Sequence, residues 1–357
     1  MKDVILSANF PRTIDHRVYH LGLRAGEVAN RIVTVGSPSR AHGIAAYLDA
    51  VPRCFVLTSE RGFTTITGRY KGVPVSIVSI GMGGPNADFF MREVRECLNG
   101  DMVVIRLGSC GALVDVPVGT VVVPEASLSV TRNYDFDFTT SMSDDVPYRV
   151  SKPVSTDPEL HAAVKDALEK TRPEGIQFPI LHQTLNASTD SFYSSQGRHT
   201  SFPDHNENLI PQLLATHPAL ATFEMETFHI LHLATSWRTS AHPSGRVQPP
   251  LSALPVHPSI SPSHIPSTQS EPPNVSVSGP DGHELQPRPK IRAAAAQMVF
   301  ASRVSEAFIT PQQVAEVEAW SGKAVLEALA SFAIDTVRLH GEVGSVWEMT
   351  SSTVNTD

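Results

Sequence analysis

The chain has 357 residues, 41% of them hydrophobic, enough to bury the core of one large α/β domain or two small ones. Its formal charge of −8 gives no general attraction to nucleic acid or anionic membranes, although a local cluster of arginines can still make a positive pocket. The start, Met1-Lys2-Asp3-Val4-Ile5-Leu6-Ser7, has too short an apolar run for a secretory signal, and no stretch reaches transmembrane length. Cys54, Cys97 and Cys110 are odd in number and widely spaced. Reduced thiols in a cytoplasmic protein with neither membrane nor nucleic-acid partners are therefore expected.

After a loose N-terminus, Tyr19-His20-Leu21-Gly22-Leu23 forms a small fixed element. The apolar run Ile32-Val33-Thr34-Val35 is a strand that enters a glycine turn, Gly36-Ser37-Pro38-Ser39, and then an arginine, Arg40. A helix from about Ser39 to Leu48 follows, with Ile44, Ala45 and Leu48 on its apolar face. Next come a strand at 54–58, an arginine turn at Arg61, and two strands, Thr64 to Tyr70 and Val73 to Ile80, joined by the hairpin pair Lys71-Gly72. Adjacent antiparallel strands make the sheet mixed rather than purely doubly wound.

Gly81-Met82-Gly83-Gly84-Pro85-Asn86 opens a helix through about Leu98, with proline in its first turn. Its glycines lack the Gly-x-Gly-x-x-Gly spacing and no βαβ unit precedes it, so no nicotinamide site is expected. The central stretch is Met102 to Ala112, where an apolar strand carrying Arg106 runs into the small-residue sequence Gly108-Ser109-Cys110-Gly111. Read as a turn, this sequence lets the backbone approach an oxyanion, Ser109 adds a hydroxyl, and Arg106 supplies a guanidinium fork suited to phosphate. Taken alone such a turn also serves as an ordinary strand exit.

Gly119 to Pro124 is a further buried strand, Asp157 to Glu169 a helix, and Phe178 to Asn186 a strand leading into Ala187-Ser188-Thr189-Asp190-Ser191-Phe192-Tyr193-Ser194-Ser195-Gln196-Gly197-Arg198. The amide of Gln196 and the guanidinium of Arg198 can both hydrogen-bond the polar edge of a pyrimidine. Phe223-Glu224-Met225-Glu226 enters a helix that ends near Trp237, where two glutamates complement the helix dipole. His229 and His232 share a helix face, but no carboxylate or cysteine accompanies them at ligand spacing, so no metal site is expected.

From 238 to 290 the composition changes to proline and serine, with twelve of the chain's 28 prolines lying between Pro243 and Pro289. Such a segment buries too little surface to offset its ordering entropy and is expected to be a disordered insertion within a single domain, 1–357. Retained non-coding sequence is the other reading of it. Ala294 to Ala301 completes the sheet, Arg303 stands at its end, and a C-terminal helix starts near Pro311 with Val314, Val317, Val325, Leu326, Leu329 and Phe332 as its buried stripe.

The two glycine-arginine strand ends at Gly36–Arg40 and Arg106–Gly111, the Ser59-Glu60-Arg61-Gly62 turn, the Gln196-Gly197-Arg198 loop and Glu224-Met225-Glu226 together resemble the nucleoside phosphorylase superfamily, and within it uridine phosphorylase. The resemblance runs from about Tyr19 to Leu339 apart from the insertion. It implies an α/β fold of three layers, αβα, around a central mixed β-sheet. It implies phosphorolysis of uridine or deoxyuridine to uracil and the sugar 1-phosphate, with inorganic phosphate as co-substrate and no cofactor. On that reading Gly36, Arg40, Arg106 and Ser109 hold phosphate, joined by Arg61 of a second subunit. His20, also lent across the interface, and Phe192, Met225 and Glu226 hold the ribose. Gln196, Arg198 and Arg303 hold the uracil, with Gly111 lining the pocket. Glu224 is a weaker candidate. Shared sites imply a homo-oligomer, a dimer or a trimer of dimers. Gly62 stands where many bacterial relatives carry a glutamate at a potassium site, so none is expected here. A purine nucleoside phosphorylase or nucleosidase of the same fold, or a non-catalytic nucleoside-binding protein, are the alternatives. The first is disfavoured because no acid lies between Ile291 and Arg303.

Overall fold

The computed structural model describes residues 4–140, 145–237 and 289–349. Most of the insertion expected at 238–290 therefore lies outside the described residues. Among the described residues the main sheet is built on β1 (Arg31–Val35), β2 (Phe55–Thr58), β3 (Thr64–Tyr70), β4 (Val73–Ser79), β5 (Met102–Ala112), β6 (Val121–Val122), β7 (Ala126–Arg132), β8 (Leu185–Thr189), β9 (Leu220–Glu224) and β10 (Ile291–Ser302). From one edge, the short strand Tyr148–Val150 is followed by β7, β8, β9, β5, β1, β4, β3 and β2, while β10 pairs with both β5 and β6. β1 is parallel to β4 and β5, whereas β3 is antiparallel to β4 and β9 is antiparallel to β5. The sheet is mixed, as the hairpin sequence required. Lys71 and Gly72 both have positive φ, 52° and 77°, the conformation of a type I′ turn matched to the strand twist.

Helices cover both faces. Successive strand residues point to opposite sides, so Val33, Val35, Val103, Ile105 and Leu107 pack with α1 (Pro38–Ala45), α3 (Pro158–Thr171) and α6 (Pro311–Ser331), while Ile32, Val78, Met102 and Val104 pack with α2 (Gly84–Cys97) and α5 (Thr227–Ser236). Each layer explains why the strands read as nearly continuous apolar runs. Arg106 alternates with Leu107 and so belongs to the α2/α5 face, where a charge needs a dedicated partner.

Three expectations need correction. Gly108 to Gly111 is not a turn, because β5 continues through it to Ala112 and pairs with β10 along its whole length. The stretch at 119–124 yields only Val121–Val122 as strand, and 178–186 divides into Ile180–Leu181, which pairs with β6, and the start of β8. The sequence reading also passed over β7 and a helix, α4 (Leu209–Thr216). Among the described residues no helix is long and apolar enough to cross a membrane.

β5 positions everything that follows. β10 holds one of its edges, so β1 and β9 must share the other. β1 pairs with residues 103–106 and β9 with 111–112, which leaves 107–110 unpaired on that edge. Because β9 runs antiparallel to β5, its carboxyl end and that of β1 face each other across this gap. A sheet opened in this way offers a crevice at strand ends, where α/β proteins bind ligands.

Candidate active site

Arg106 stands at the floor of the gap, with its side chain only 4% exposed. One amine, Nη2, donates to Glu226 Oε2 at 2.7 Å, while Nε and Nη1 are buried with no acceptor. Thr34, its register partner on β1, also has a buried hydroxyl without a partner. Buried donors are almost always satisfied, and a guanidinium left half-bonded in a strand gap is a cradle for an oxyanion.

The neighbouring groups agree with that chemistry. A side chain at Gly36 would put its Cβ 3.8 Å from Arg106 Nη2, so glycine keeps the approach to the guanidinium open. Gly108 does the same at 3.4 Å from Arg106 Nε. Neither glycine has positive φ, so space, not backbone freedom, is what both supply. Ser37 caps α1 by accepting from Arg40 N, which fixes where Arg40 departs from the helix. Buried Arg40 donates from Nε to Glu318 Oε1 at 2.8 Å. Burial pushes its pKa down, Glu318 opposes that, and Arg106 pushes it down further, which places the two arginines in one electrostatic neighbourhood with Glu226. Ser109, partly exposed, lies on the unpaired stretch of β5.

Glu226 links this cradle to the next subsite. Its Oε1 accepts from Gly83 N at 2.5 Å, and Gly83 has φ 94°, a conformation glycine adopts without strain. At Gly84 a Cβ would fall 2.4 Å from the His229 ring, so the loop before α2 can pack this closely only without side chains. Burial raises the Glu226 carboxyl above its ordinary pKa, with Arg106 opposing and Glu224 adding to the rise. Two of the roughly four lone-pair positions of a carboxylate are used here, leaving acceptors for hydroxyls. Met225 beside it is partly exposed.

Glu224 has a different job from the one its sequence suggested. Oε2 accepts from Glu226 N and from Thr227 N and Oγ1, each at 2.9 Å, and Oε1 accepts from Asn186 Nδ2 at 2.8 Å and from Ser188 Oγ. It caps the start of α5 from outside the helix and holds Glu226 in place, with no capacity left for a ligand.

A second cluster forms beyond Gly111. Gln196 Nε2 donates to Thr189 Oγ1 at 2.9 Å, and its Oε1 accepts from Arg198 Nη1. Arg198 also donates to the Phe192 carbonyl at 2.6 Å and stacks its guanidinium 3.8 Å from the Phe192 ring centre. Its pKa is pulled down to about 10, by burial first and then by Arg303. A Cβ on Gly111 would lie 3.9 Å from Arg198 Nη2, so glycine again leaves room beside a guanidinium. Arg303 Nη2 donates to the carbonyls of Gly197 at 2.9 Å and Gln196 at 3.3 Å, clamping the turn that presents the pair.

Arg61 and His20 form a third group that does not join Arg40 and Arg106 within the chain. Arg61 is exposed and donates to Tyr19 Oη at 3.2 Å, while His20 meets the Tyr19 ring edge-on at 5.0 Å. His20 stacks on Phe89 at 3.8 Å, and its Nδ1 is 2.6 Å from Glu93 Oε1. Glu93 accepts from the backbone N of both His20 and Leu21 as well. The two residues expected to serve a neighbouring subunit thus share one partly exposed patch around Tyr19.

Sequence reasoning missed Glu93, Glu318, Thr189 and the donor role of Gly83. Glu93, Glu318 and Gly83 act through contacts far apart in the chain, and Thr189, seven residues before Gln196, carries no signal of its own within the loop. Cys110, by contrast, lies inside the central stretch but is buried, and burial pushes its thiol well above the ordinary range, away from the thiolate form.

A mixed αβα sheet split at one strand, with an arginine-floored cradle in the split, defines the nucleoside phosphorylase type of α/β enzyme. The chain belongs to the phosphorylase superfamily, whose family model matches residues 30–239. Uridine phosphorylase of Thermococcus kodakarensis is 30% identical over 241 residues, covering 66% of this chain and 78% of that protein. A solved structure from work on two uridine phosphorylases of the oomycete Phytophthora capsici is 37% identical, with a TM-score of 0.74 over 93% of this chain and 100% of the other. A DeoD-type purine nucleoside phosphorylase of Brevibacillus brevis is 28% identical over 224 residues, covering 62% of this chain and 82% of that protein.

Proposed function

We propose that the protein catalyses phosphorolysis of uridine or deoxyuridine, transferring the pentose from uracil to inorganic phosphate in nucleoside salvage and catabolism. The observation that carries this reading is Arg106, buried, with two guanidinium nitrogens unsatisfied and the third held by Glu226. Phosphate seated on Nε and Nη1, with Gly36, Arg40 and Ser109 beside it, attacks C1′ from below. Glu226 accepts from the ribose 2′- and 3′-hydroxyls while bonded to Arg106, so one carboxylate keeps nucleophile and sugar in register. The bond to nitrogen breaks through an oxocarbenium-like sugar, which the phosphate beneath it stabilises. Uracil departs as a delocalised anion, met by Arg198 and Gln196, and no general acid is needed. Met225, Phe192 and His20 complete the sugar pocket.

The relatives include purine-specific enzymes, but Gln196 and Arg198 offer the amide and guanidinium that suit a pyrimidine edge, and the strand Ile291–Ser302 carries no acid to protonate a purine. Uridine relatives at 30% and 37% identity favour the same side. Phosphorolysis measured on uridine, deoxyuridine, thymidine, inosine and adenosine tests the reading. Uracil nucleosides are expected to react at least about 10²-fold faster than either purine, and preferential cleavage of inosine or adenosine would overturn it.

The proposal includes a cytoplasmic homo-oligomer in which Arg61 and His20 enter the neighbouring site, with one domain spanning the chain and no metal or organic cofactor. Three free cysteines suit a reducing compartment. Sharing is testable by complementation. Arg61→Ala and Arg106→Ala, each inactive alone, are expected to recover measurable activity when co-expressed, because a mixed pair contains one intact site. Failure to recover activity in verified mixed oligomers would show that the sites are not shared.

A further inference from the structure

We infer that a second ligand site lies at the opposite end of the sheet, built to take a compact organic oxyanion with a flat apolar body. A cavity of about 250 Å³ is lined by Asn30 and Arg31 at the start of β1, Pro74 in β4, and Leu339, His340 and Trp347 of the segment after α6. Arg31 and Gly36 are separated by the length of β1, roughly 17 Å at strand rise, so this cavity is distinct from the cradle at the carboxyl end.

Two of its polar side chains, His340 and Arg31, keep a donor without a protein acceptor. His340 is 4% exposed, and its Nδ1 accepts from Asn99 N at 3.0 Å. An accepting Nδ1 puts the proton of the neutral ring on Nε2, and that nitrogen is buried with no partner. Arg31 is 8% exposed, donates Nε to the Leu329 carbonyl and Nη2 to the Phe332 carbonyl, both at 3.0 Å, and forms no ion pair among the described residues. Its remaining amine, Nη1, takes no acceptor there. Arg69 spends its donors on the Trp347 and Gly72 carbonyls and on Glu342, so the carboxylate at the cavity mouth is already matched and does not serve Arg31. Asn30 is fully engaged, giving Nδ2 to the carbonyls of Asn99 and Asp101 and accepting His340 N on Oδ1. What remains is a largely buried cation without a counter-charge, whose free amine is open to solvent, and one buried N–H without an acceptor.

An oxyanion satisfies both at once, as a charge-assisted pair. The Trp347 ring, edge-on to His340 at 5.7 Å, together with Pro74 and Leu339, offers apolar surface to the rest of the molecule. The volume limits that molecule to a small one, below the usual span of drug-sized pockets.

Trp347 is one of three tryptophans and reports on the cavity directly. Emission of the full chain is titrated with benzoate, phenyl phosphate and inorganic phosphate, in the wild type, Trp347→Phe and His340→Leu. The expected result is a saturable change with benzoate or phenyl phosphate in the wild type, absent from Trp347→Phe and shifted at least about 10-fold to weaker binding in His340→Leu. Which of the two organic anions responds identifies the headgroup. No saturable change with either up to about 50 mM overturns the site. So does a change that survives in Trp347→Phe, or a response to inorganic phosphate alone. If His340→Leu does not fold, the comparison of wild type with Trp347→Phe still decides.

Discussion

Arg106→Ala is expected to lower phosphate-dependent cleavage of uridine by about 10²–10³-fold, the scale for removing a donor aimed at developing charge in a dry site. A second consequence is structural. Glu226 and Arg106 are both about 95% buried, and alanine strands the carboxylate without its cation. Breaking one half of a buried pair costs about 3–5 kcal/mol, so the urea midpoint should fall together with activity. The double variant Arg106→Met with Glu226→Gln separates the two effects. Neutral side chains of similar volume should restore most of the stability while activity stays lost. Recovery of turnover along with stability would mean that Arg106 serves the fold rather than the phosphate.

Arg198→Met is expected to cost about 10²–10³-fold in kcat/KM for uridine while leaving the KM for phosphate near its original value, because the departing base, not the nucleophile, loses its partner. Gln196→Leu should behave similarly and lose a further about 1–3 kcal/mol of stability, since Thr189 Oγ1 and Arg198 Nη1 are left without the amide that joins them. The depressed pKa of Arg198, about 10, still leaves it charged at neutral pH. Steady-state kinetics with both substrates varied give the split. A rise in the phosphate KM matching the loss on uridine would assign the pair to the wrong end of the cleft.

The alternation Val33/Val35 against Ile32/Thr34, and Val103/Ile105 against Val104/Arg106, was legible in the sequence as two strands buried on both faces. The three-layer arrangement itself came from the resemblance to the nucleoside phosphorylases, and the structure assigns the two sets of side chains to opposite helical layers. Lys71-Gly72 gave the hairpin and hence the mixed sheet, because two positive-φ positions in a row suit few other residue pairs. The short strands were not legible. Val121–Val122 and Ile180–Leu181 owe their existence to each other and to β10, and two-residue ladders leave no periodic trace. Gly108 to Gly111 misled in an instructive way. A glycine-rich sequence reads as a turn, yet here the strand continues and the missing side chains serve to clear space around Arg106 and Arg198. Arg106, Glu226, Gln196 and Arg198 could be named because each stands in a local motif. Glu224 was seen as a possible contact and turned out to be a support, a role decided by five hydrogen bonds from residues up to 38 positions away.

The cavity behind β1 had no signature at all in the chain. Arg31 reads as a polar residue at a strand start, and His340 as one of fifteen histidines. Only their joint burial, with Arg31 lacking a carboxylate and His340 an acceptor, distinguishes them.

Combined proton and phosphorus NMR of uridine incubated with the enzyme, with and without inorganic phosphate, tests the central claim most directly. Uracil is expected only when phosphate is present, with one equivalent of a sugar 1-phosphate resonance appearing for each uracil released. Uracil and free ribose formed at the same rate without phosphate would contradict it, and would make the arginine-floored cradle the seat of something other than the attacking nucleophile.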